Sequence, residues 1–437
     1  MQFTYDELKN ITHASAIIEN LKQGSNYSIS TDTRSIKKGD VYLPLRGESF
    51  DGELFIEEAI SKGAVGYFTT KPRHYNSAFE LLVNDTKIAY LQLANFYKNK
   101  INPLTIAITG SSGKTTTKEI FSAVFGANRK THKSKLNHNN EIGLCQTLLS
   151  MSEDTEVLII EMGMRGLGEI ELLSRFAQPD FGIITNIGTA HIGRLGSREN
   201  IARAKCEIVS YMSDNGVLVT HKDELYNKVL NNSKLKHIVI NEDDTKLIEM
   251  KQDYSEFSYK ESIYKLNVGG EYNIKDALLA IETALLYGLT PLEIQKGLNQ
   301  YLPIEKRFEE TVFDNLSFIN DSYNANPDSM RAAIKTFVEL YDGEKILVLA
   351  DMKELGENEI QYHKEIGIFL NSFQGITVYT VGDLAKNISD VTIHPSKHFC
   401  DNIEVVNELK KIKLKTKIFL KGSNSMNLYK IIEEIKK

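Results

Sequence analysis

Apolar residues come in two textures along this chain. Up to about residue 100, short apolar runs mix with helical segments. From Leu104 onward the pattern is regular. Leu104-Thr-Ile-Ala-Ile-Thr109 is a β-branched apolar run of the kind a buried strand makes, and it ends in a glycine-rich turn at Gly110. Val157–Glu161 and Phe181–Asn186 read as further buried strands separated by helix-length segments. Strands alternating with helices imply a parallel sheet covered on both faces. Asn241 to Ser262 is polar and acidic and reads as a peripheral excursion, after which Ile274–Tyr287 returns to helical spacing and Pro291 opens another helix. A linker is expected near Leu302-Pro303-Ile304-Glu305. Beyond it, Lys345–Ala350, Ile376–Val381 and Lys417–Leu420 read as three more buried strands with helices between them. The predicted fold class is α/β in three domains: a small mixed α/β domain over 1–100, a central parallel-sheet domain with a phosphate loop over 101–304, and a Rossmann-like α/β domain over 305–437.

Composition agrees with that division. The 437 residues are 41% hydrophobic and 25% charged, enough apolar material for full cores and too much for a disordered chain. Lys plus Arg number 52 against 58 Asp plus Glu, a net charge of −6 with no strongly basic half, which argues against nucleic acid as the main partner. The three cysteines, Cys145, Cys206 and Cys400, are too scattered for a zinc site or a disulfide framework. The opening residues lack a basic flank followed by an apolar run, and no apolar run is long enough to span a membrane. The expectation is a soluble, cytoplasmic protein.

The sharpest chemical signal is Gly110-Ser111-Ser112-Gly113-Lys114-Thr115-Thr116, placed between a strand and a helix. Glycines let the backbone turn tightly so that successive N–H groups face phosphate oxygens. Lys114 is placed for the β and γ phosphates, and Thr115 for Mg²⁺ through its hydroxyl. The spacing is shorter than the usual G-x-x-x-x-G-K-[ST], because Ile108 stands at the first glycine position. ATP is therefore the expected nucleotide.

Three further residues are ambiguous from sequence alone. Glu161 closes a buried strand at its carboxyl end, the edge where open α/β sheets bind ligands, although acids there are often plain turn residues. His191 follows the Phe181 strand, and on sequence alone a lone histidine there is more often a structural group than a ligand. Lys205 falls within the apolar stripe Ile201, Ile208, Met212 of a helix that Ser197 can cap. Burial favours the neutral amine, which reacts with CO₂ to give a carbamate; the alternative is a lysine that snorkels to the surface.

The phosphate loop, Asn137-His-Asn-Asn-Glu-Ile-Gly143, Glu161-Met-Gly163 and His191 through Lys205 together resemble the Mur ligases, which build the peptide of bacterial cell-wall precursors. The resemblance runs over essentially the whole chain. Thr31-Asp32-Thr33-Arg34, Lys38-Gly39-Asp40 and Asp51-Gly52 resemble the UDP-sugar-binding domain of that family. Asn320 to Met330 and Leu349 to Gly356, followed by His363, are similar to the members that add D-alanyl-D-alanine. What the resemblance implies is an ATP-dependent amide ligase joining D-Ala-D-Ala to UDP-N-acetylmuramoyl-tripeptide through an acyl phosphate, in peptidoglycan precursor synthesis. By the same resemblance, Thr115, Glu161, His191 and a carbamylated Lys205 would surround two Mg²⁺ ions. Asn139 and Asn140 would lie near phosphates and metal, Asn273 and Arg307 near the nucleotide, and Asp32, Thr33 and Arg34 on the UDP-sugar. Asn324, Asn326 and Asp328 would contact the incoming dipeptide. The protein would act as a monomer on small molecules, with no nucleic acid and no membrane insertion. Five positions depart from the family pattern: Tyr272 and Asp276 stand where His-Asn-x-x-Asn is usual, Lys306 where Gly precedes the arginine, Asn424 where Arg follows Lys-Gly-Ser, and Cys145 where Pro is common.

Overall fold

The computed structural model describes residues 1–17, 25–47, 49–135, 137–230, 235–303 and 307–437. The expected linker residues Ile304 and Glu305, with Lys306, lie outside the described residues. Two six-stranded sheets dominate. The central one runs in the order Lys236–Ile240, Val217–His221, Phe181–Ile184, Leu104–Thr109, Val157–Glu161, Thr131–Lys133, parallel throughout. Leu104–Thr109 sits between strands reached by connections in opposite directions. Its carboxyl end, and those of its two neighbours, therefore form the crevice where such sheets bind ligands. Every residue of Val157–Glu161 is buried, which explains why the run shows no polar alternation.

The Phe181 strand is shorter than its sequence suggests. It leaves the ladder at Ile184 because Thr185 and Asn186 turn their side chains to Ser112 of the phosphate loop. The expected excursion over Asn241–Ser262 is instead largely a three-stranded antiparallel sheet, Thr245–Met250, Ser255–Tyr259 and Ser262–Leu266. Its period-two face buries Phe257, Tyr259 and Tyr264 in the core beneath the helix Glu271–Tyr287. The first strand is nearly all exposed, and its polar composition hid the sheet.

Near the N-terminus a five-stranded sheet holds Ser15–Ile17, Phe79–Leu82, Gly66–Thr69, Val41–Tyr42 and Ile29–Ser30 in that order. The helix Thr86–Ile101 follows, started by Asp85, whose carboxylate accepts from the N–H of Lys87 and Ile88. This helix ties the unit to the central one. Tyr97 donates to the Met151 carbonyl, Asn95 to the Phe176 carbonyl, and one apolar core continues from Phe3 through Leu91 to Leu158 and Ile184.

The second six-stranded sheet begins with the antiparallel edge strand Glu309–Phe313. Leu316–Asn320, Thr416–Lys421, Glu344–Ala350, Ile376–Val381 and Ser396–Phe399 then lie parallel. Its own cores lie on its two faces. It meets the central unit through a mostly polar seam. Thr189 donates both its N–H and its hydroxyl to Asp328 Oδ2 at 2.7 and 2.8 Å, the Gly193 N–H donates to the Glu354 carbonyl at 3.2 Å, and Lys335 pairs with Glu271 at 2.8 Å.

The loop after Glu344–Ala350 is pinned from three sides. Asp351 Oδ1 accepts from the N–H of Leu384 and Ala385, the Lys353 N–H donates to Ser423, and His363 Nε2 accepts from the Met352 N–H at 2.9 Å. His363 is fully buried, and its Nδ1 faces the Glu359 carbonyl at 2.7 Å, so it acts as a brace for this loop. His363→Ala leaves the Met352 N–H without an acceptor. The expected loss is about 2 kcal/mol of stability, read as a lower Tm by calorimetry, with nucleotide affinity unchanged.

Candidate active site

The phosphate loop keeps its shape through its two glycines and the strand beside it. Gly110 has φ 154°, and a Cβ there would fall 1.8 Å from Thr185 Oγ1; at Gly113, φ is 78° and a Cβ would meet Asp276 Oδ1 at 2.7 Å. Thr185 donates to the Ser112 carbonyl at 2.5 Å, and Asn186 accepts from the Ser112 N–H at 3.1 Å while its carbonyl takes the Ser111 N–H. Those two amides are thus engaged. The helix Lys114–Gly126 starts at Gly113 with no side-chain cap, leaving the N–H groups of its first turn for an anion. Lys114 folds back so that Nζ donates to the Gly110 carbonyl at 2.8 Å.

Glu161 is the hub of the site. Its Oε2 accepts from the Thr115 hydroxyl at 2.9 Å, and its Oε1 from Asn139 Nδ2 at 3.1 Å. Lys118, fully buried one turn along the helix, brings its ammonium to 3.8 Å from the same carboxylate and 3.4 Å from Glu119. From the far side, Arg307 Nη2 reaches Thr115 Oγ1 at 2.9 Å, its guanidinium stacked 4.4 Å from the Tyr323 ring centre. Thr115, Asn139, Glu161, Arg307 and Tyr323 line a cavity of about 980 Å³ that also holds His191, Lys205, Asn273, Asn324, Asn326 and Lys421. Both six-stranded sheets present their carboxyl ends to it. Across the cavity from Lys114, Lys421 pairs with Asp321 at 2.5 Å and donates to the Asn324 carbonyl at 3.2 Å.

Positive charge is crowded here. Lys205 is 1% exposed, and among the described residues no carboxylate pairs with it. Burial, reinforced by the nearby Lys114 charge, drives its amine well below the usual lysine range. Burial also lowers Lys114, which Glu161 opposes and Arg307 reinforces. His191 is held low by burial against the pull of Glu354, with Lys114 and Lys205 acting in the same direction as burial. Its neutral form is therefore favoured. Among the described residues no cluster of three His, Cys, Asp or Glu side chains is arranged for a cation. The oxygen and nitrogen donors at hand are the Thr115 hydroxyl, the Glu161 carboxylate and the His191 imidazole.

Three family models match the chain: the Mur ligase family catalytic domain over 26–101, the Mur ligase middle domain over 108–284, and the Mur ligase glutamate ligase domain over 306–424. A UDP-N-acetylmuramoyl-tripeptide–D-alanyl-D-alanine ligase of Bacillus subtilis is 37% identical over 94% of this chain and 93% of its own length. The chain belongs to the Mur ligase family. Among solved structures, MurF from Acinetobacter baumannii superposes with a TM-score of 0.92 at 28% identity, covering 100% of this chain and 99% of its own. MurF ligase from Thermotoga maritima, solved in complex with ADP, gives 0.84 at 25% identity over 94% and 97%. The α/β fold with a phosphate-loop central unit is that of this family.

Of the residues singled out in the sequence, this Mur ligase gathers Gly110, Ser111, Ser112, Gly113, Lys114, Thr115, Thr116, Asn139, Asn140, Glu161, His191, Lys205, Asn273, Arg307, Asn324 and Asn326 around one cavity. Asn140 caps the helix Glu141–Leu149 and Asn326 caps Pro327–Leu340, so both hold backbone as well as facing the site. Asp328 is spent on Thr189 across the seam. Asp32, Thr33 and Arg34 stand apart from the cavity, in a turn where Arg34, largely exposed, pairs with Asp32 at 2.6 Å and Thr33 donates to Glu58. Two residues were missed from sequence. Lys118 shares a helix face with Thr115 three positions earlier, and Asn186 lies two residues beyond the strand Phe181–Ile184, beside the loop; spacing was the one signal for either.

Asp276, the departure from the family pattern, lies under the loop at Gly113. Burial pushes its carboxyl up to about 8, against the Thr117 hydroxyl and the Arg307 guanidinium, which pull it down. The folded pKa lies above the ordinary value of 3.8, so above pH 4 the unfolded chain releases a proton the folded chain keeps. Stability of the ligand-free protein should therefore fall as pH rises from about 4 toward 8. In Asp276→Asn that slope should flatten, giving a Tm above the parent's at pH 7.5 and a gap that closes toward pH 4, followed by thermal melts across this range.

Proposed function

We propose that this chain is the ATP-dependent ligase that joins D-Ala-D-Ala to the free carboxyl of UDP-N-acetylmuramoyl-tripeptide, releasing ADP and phosphate, in the cytoplasm. The observation that carries this reading is the single cavity. It sets a phosphate loop and a metal-type carboxylate on one wall and the Lys421–Asn324 edge of a second α/β unit on the other. That is the arrangement needed to activate one substrate and receive another. The resemblance to D-Ala-D-Ala-adding relatives supplies the substrates.

In this reading the region before residue 101 takes the UDP end, through Asp32, Thr33 and Arg34, the region to residue 304 takes ATP, and the remainder takes the dipeptide. The first-turn amides of Lys114–Gly126 and the Lys114 ammonium hold the phosphates and offset the repulsion between the γ-phosphate and the substrate carboxylate. Asn273 and Arg307 approach the nucleotide, and Asn324 and Asn326 the dipeptide. Thr115 and Glu161 are hard oxygen donors 2.9 Å apart beside the phosphate loop, which fits Mg²⁺. With His191 and Lys205 they would hold two such ions, which supply charge neutralisation at the transferring phosphoryl group. A carbamate on Lys205 (amine plus CO₂ giving N–COO⁻ and a proton) provides the second carboxylate that the donor set lacks. The buried amine, driven well below the usual lysine range and with no partner carboxylate among the described residues, favours the neutral form, which is the one that reacts. The acyl phosphate formed at the tripeptide carboxyl is then attacked by the dipeptide amine, with phosphate leaving. Docking of the C-terminal unit keeps water out while the mixed anhydride exists.

Phosphate release from ATP should require both UDP-N-acetylmuramoyl-tripeptide and D-Ala-D-Ala, with a product heavier by the dipeptide less water in mass spectrometry. Release with neither substrate would overturn the ligase reading. Lys205→Ala should lower kcat by about 100-fold or more, in line with loss of one charge-stabilising group. Added short carboxylates should restore part of it. Full activity of that variant without additive would remove the carbamate.

A further inference from the structure

The seam between the central and C-terminal units carries a contact that neither packing nor the phosphate loop explains. His191 Nδ1 stands 2.6 Å from Glu354 Oε2, and the two residues come from opposite sides of the seam. Both are held in the left-handed region, His191 at φ 64° and Glu354 at φ 65°. For residues with a side chain that conformation costs free energy, and such strain concentrates where geometry serves function. An ion pair cannot repay it, because the Glu354 side chain is 47% exposed and partly solvated pairs contribute little.

The backbone around the pair is built to fix it. The Gly193 N–H donates to the Glu354 carbonyl, and Gly193 and Gly356 approach so closely that a Cβ on the first would lie 2.5 Å from the other's nitrogen. Glu354 follows the segment that Asp351, Ser423 and His363 brace, so its carboxylate comes from a rigid loop. The contact is not aligned as a hydrogen bond, but a negative charge beside Nδ1 favours the ring proton there and the lone pair on Nε2, the other nitrogen of a residue that lines the cavity.

We infer that Glu354 is a positioning residue for His191, delivered by the C-terminal unit, which fixes the tautomer and direction of the imidazole so that a competent cation site exists only when that unit is docked. The inference rests on the reading of His191 as a metal donor, and it makes interdomain docking and cation affinity one event. No residue of the C-terminal unit need touch the cation for its arrival to be felt there.

The test is Mn²⁺ affinity, measured on the full-length protein with ADP present by electron paramagnetic resonance titration. Glu354→Ala should weaken Mn²⁺ binding about 10-fold, the low end for loss of a partner behind a metal ligand. Glu354→Gln, which keeps a partly negative amide oxygen at that position, should recover part of that. His191→Asn should weaken binding at least as much as Glu354→Ala. The double variant should bind no more weakly than His191→Asn alone, since one residue acts through the other. Glu357→Gln, in the same loop and exposed, should leave Mn²⁺ affinity unchanged. Unchanged affinity in Glu354→Ala, with weakened affinity in His191→Asn, would overturn the positioning role alone. Additive losses in the double variant would overturn it too. Unchanged affinity in His191→Asn would remove the metal reading of His191 and the inference with it.

Discussion

The structure is organised around positive charge withdrawn from water. Lys118 is buried outright against Glu161, Lys114 and Arg307 crowd the same space, and the buried Lys205 amine stands near the Lys114 charge. Separating such charges from solvent is expensive unless an anion takes the place of water. A polyphosphate is that anion, and the amides of an uncapped helix start add to the demand for it. The charges therefore stand where a bound polyphosphate needs them. That is what electrostatic catalysis requires, since no reorganisation is then needed when charge develops.

Geometry follows from the same need. A single sheet edge supplies one wall of donors, enough to hold a nucleotide but not to enclose a reacting centre. The second α/β unit supplies the opposite wall, and its contacts with the first are hydrogen bonds and ion pairs with a thin apolar fringe, such as Tyr272 edge-on to Phe308. Polar seams of this kind open and close at modest cost, whereas a continuous core does not. Asp276, which breaks the family pattern, lies under the loop at Gly113, and Tyr272, which also breaks it, packs against Phe308 at the seam.

Much of this was legible in the chain. The Leu104 strand, its glycine turn and the lysine that follows encode strand, turn and chemistry in one short run, and Val157–Glu161 showed its burial by lacking polar alternation. What escaped notice had physical reasons. The Thr245–Leu266 sheet exposes one face and begins with an edge strand that is nearly all solvated, so its composition resembles a loop. The Phe181 strand seemed two residues too long because Thr185 and Asn186 have strand-like chemistry but bond to Ser112. Lys118 looked like any helix lysine, since its burial comes from the sheet beneath it and not from its neighbours in sequence. Asp328 carried a ligand-contact motif, yet its carboxylate is taken up by Thr189. Glu354 lay inside a recognised block but far in sequence from His191, and a pair separated in this way leaves no local trace.

The helix Thr86–Ile101 belongs to two neighbourhoods at once: its apolar face is common to the N-terminal sheet and to the helices Glu141–Leu149 and Glu169–Ala177. The two units thus act as a single jig. Anything clamped at the far end of the first is measured off against the phosphate loop by a bar of fixed length, as a ruler is set by its zero mark. The third unit has no such bar and takes its place by contact alone. A donor molecule that was too long or too short would reach the loop out of register, and no movement of the third unit would correct it.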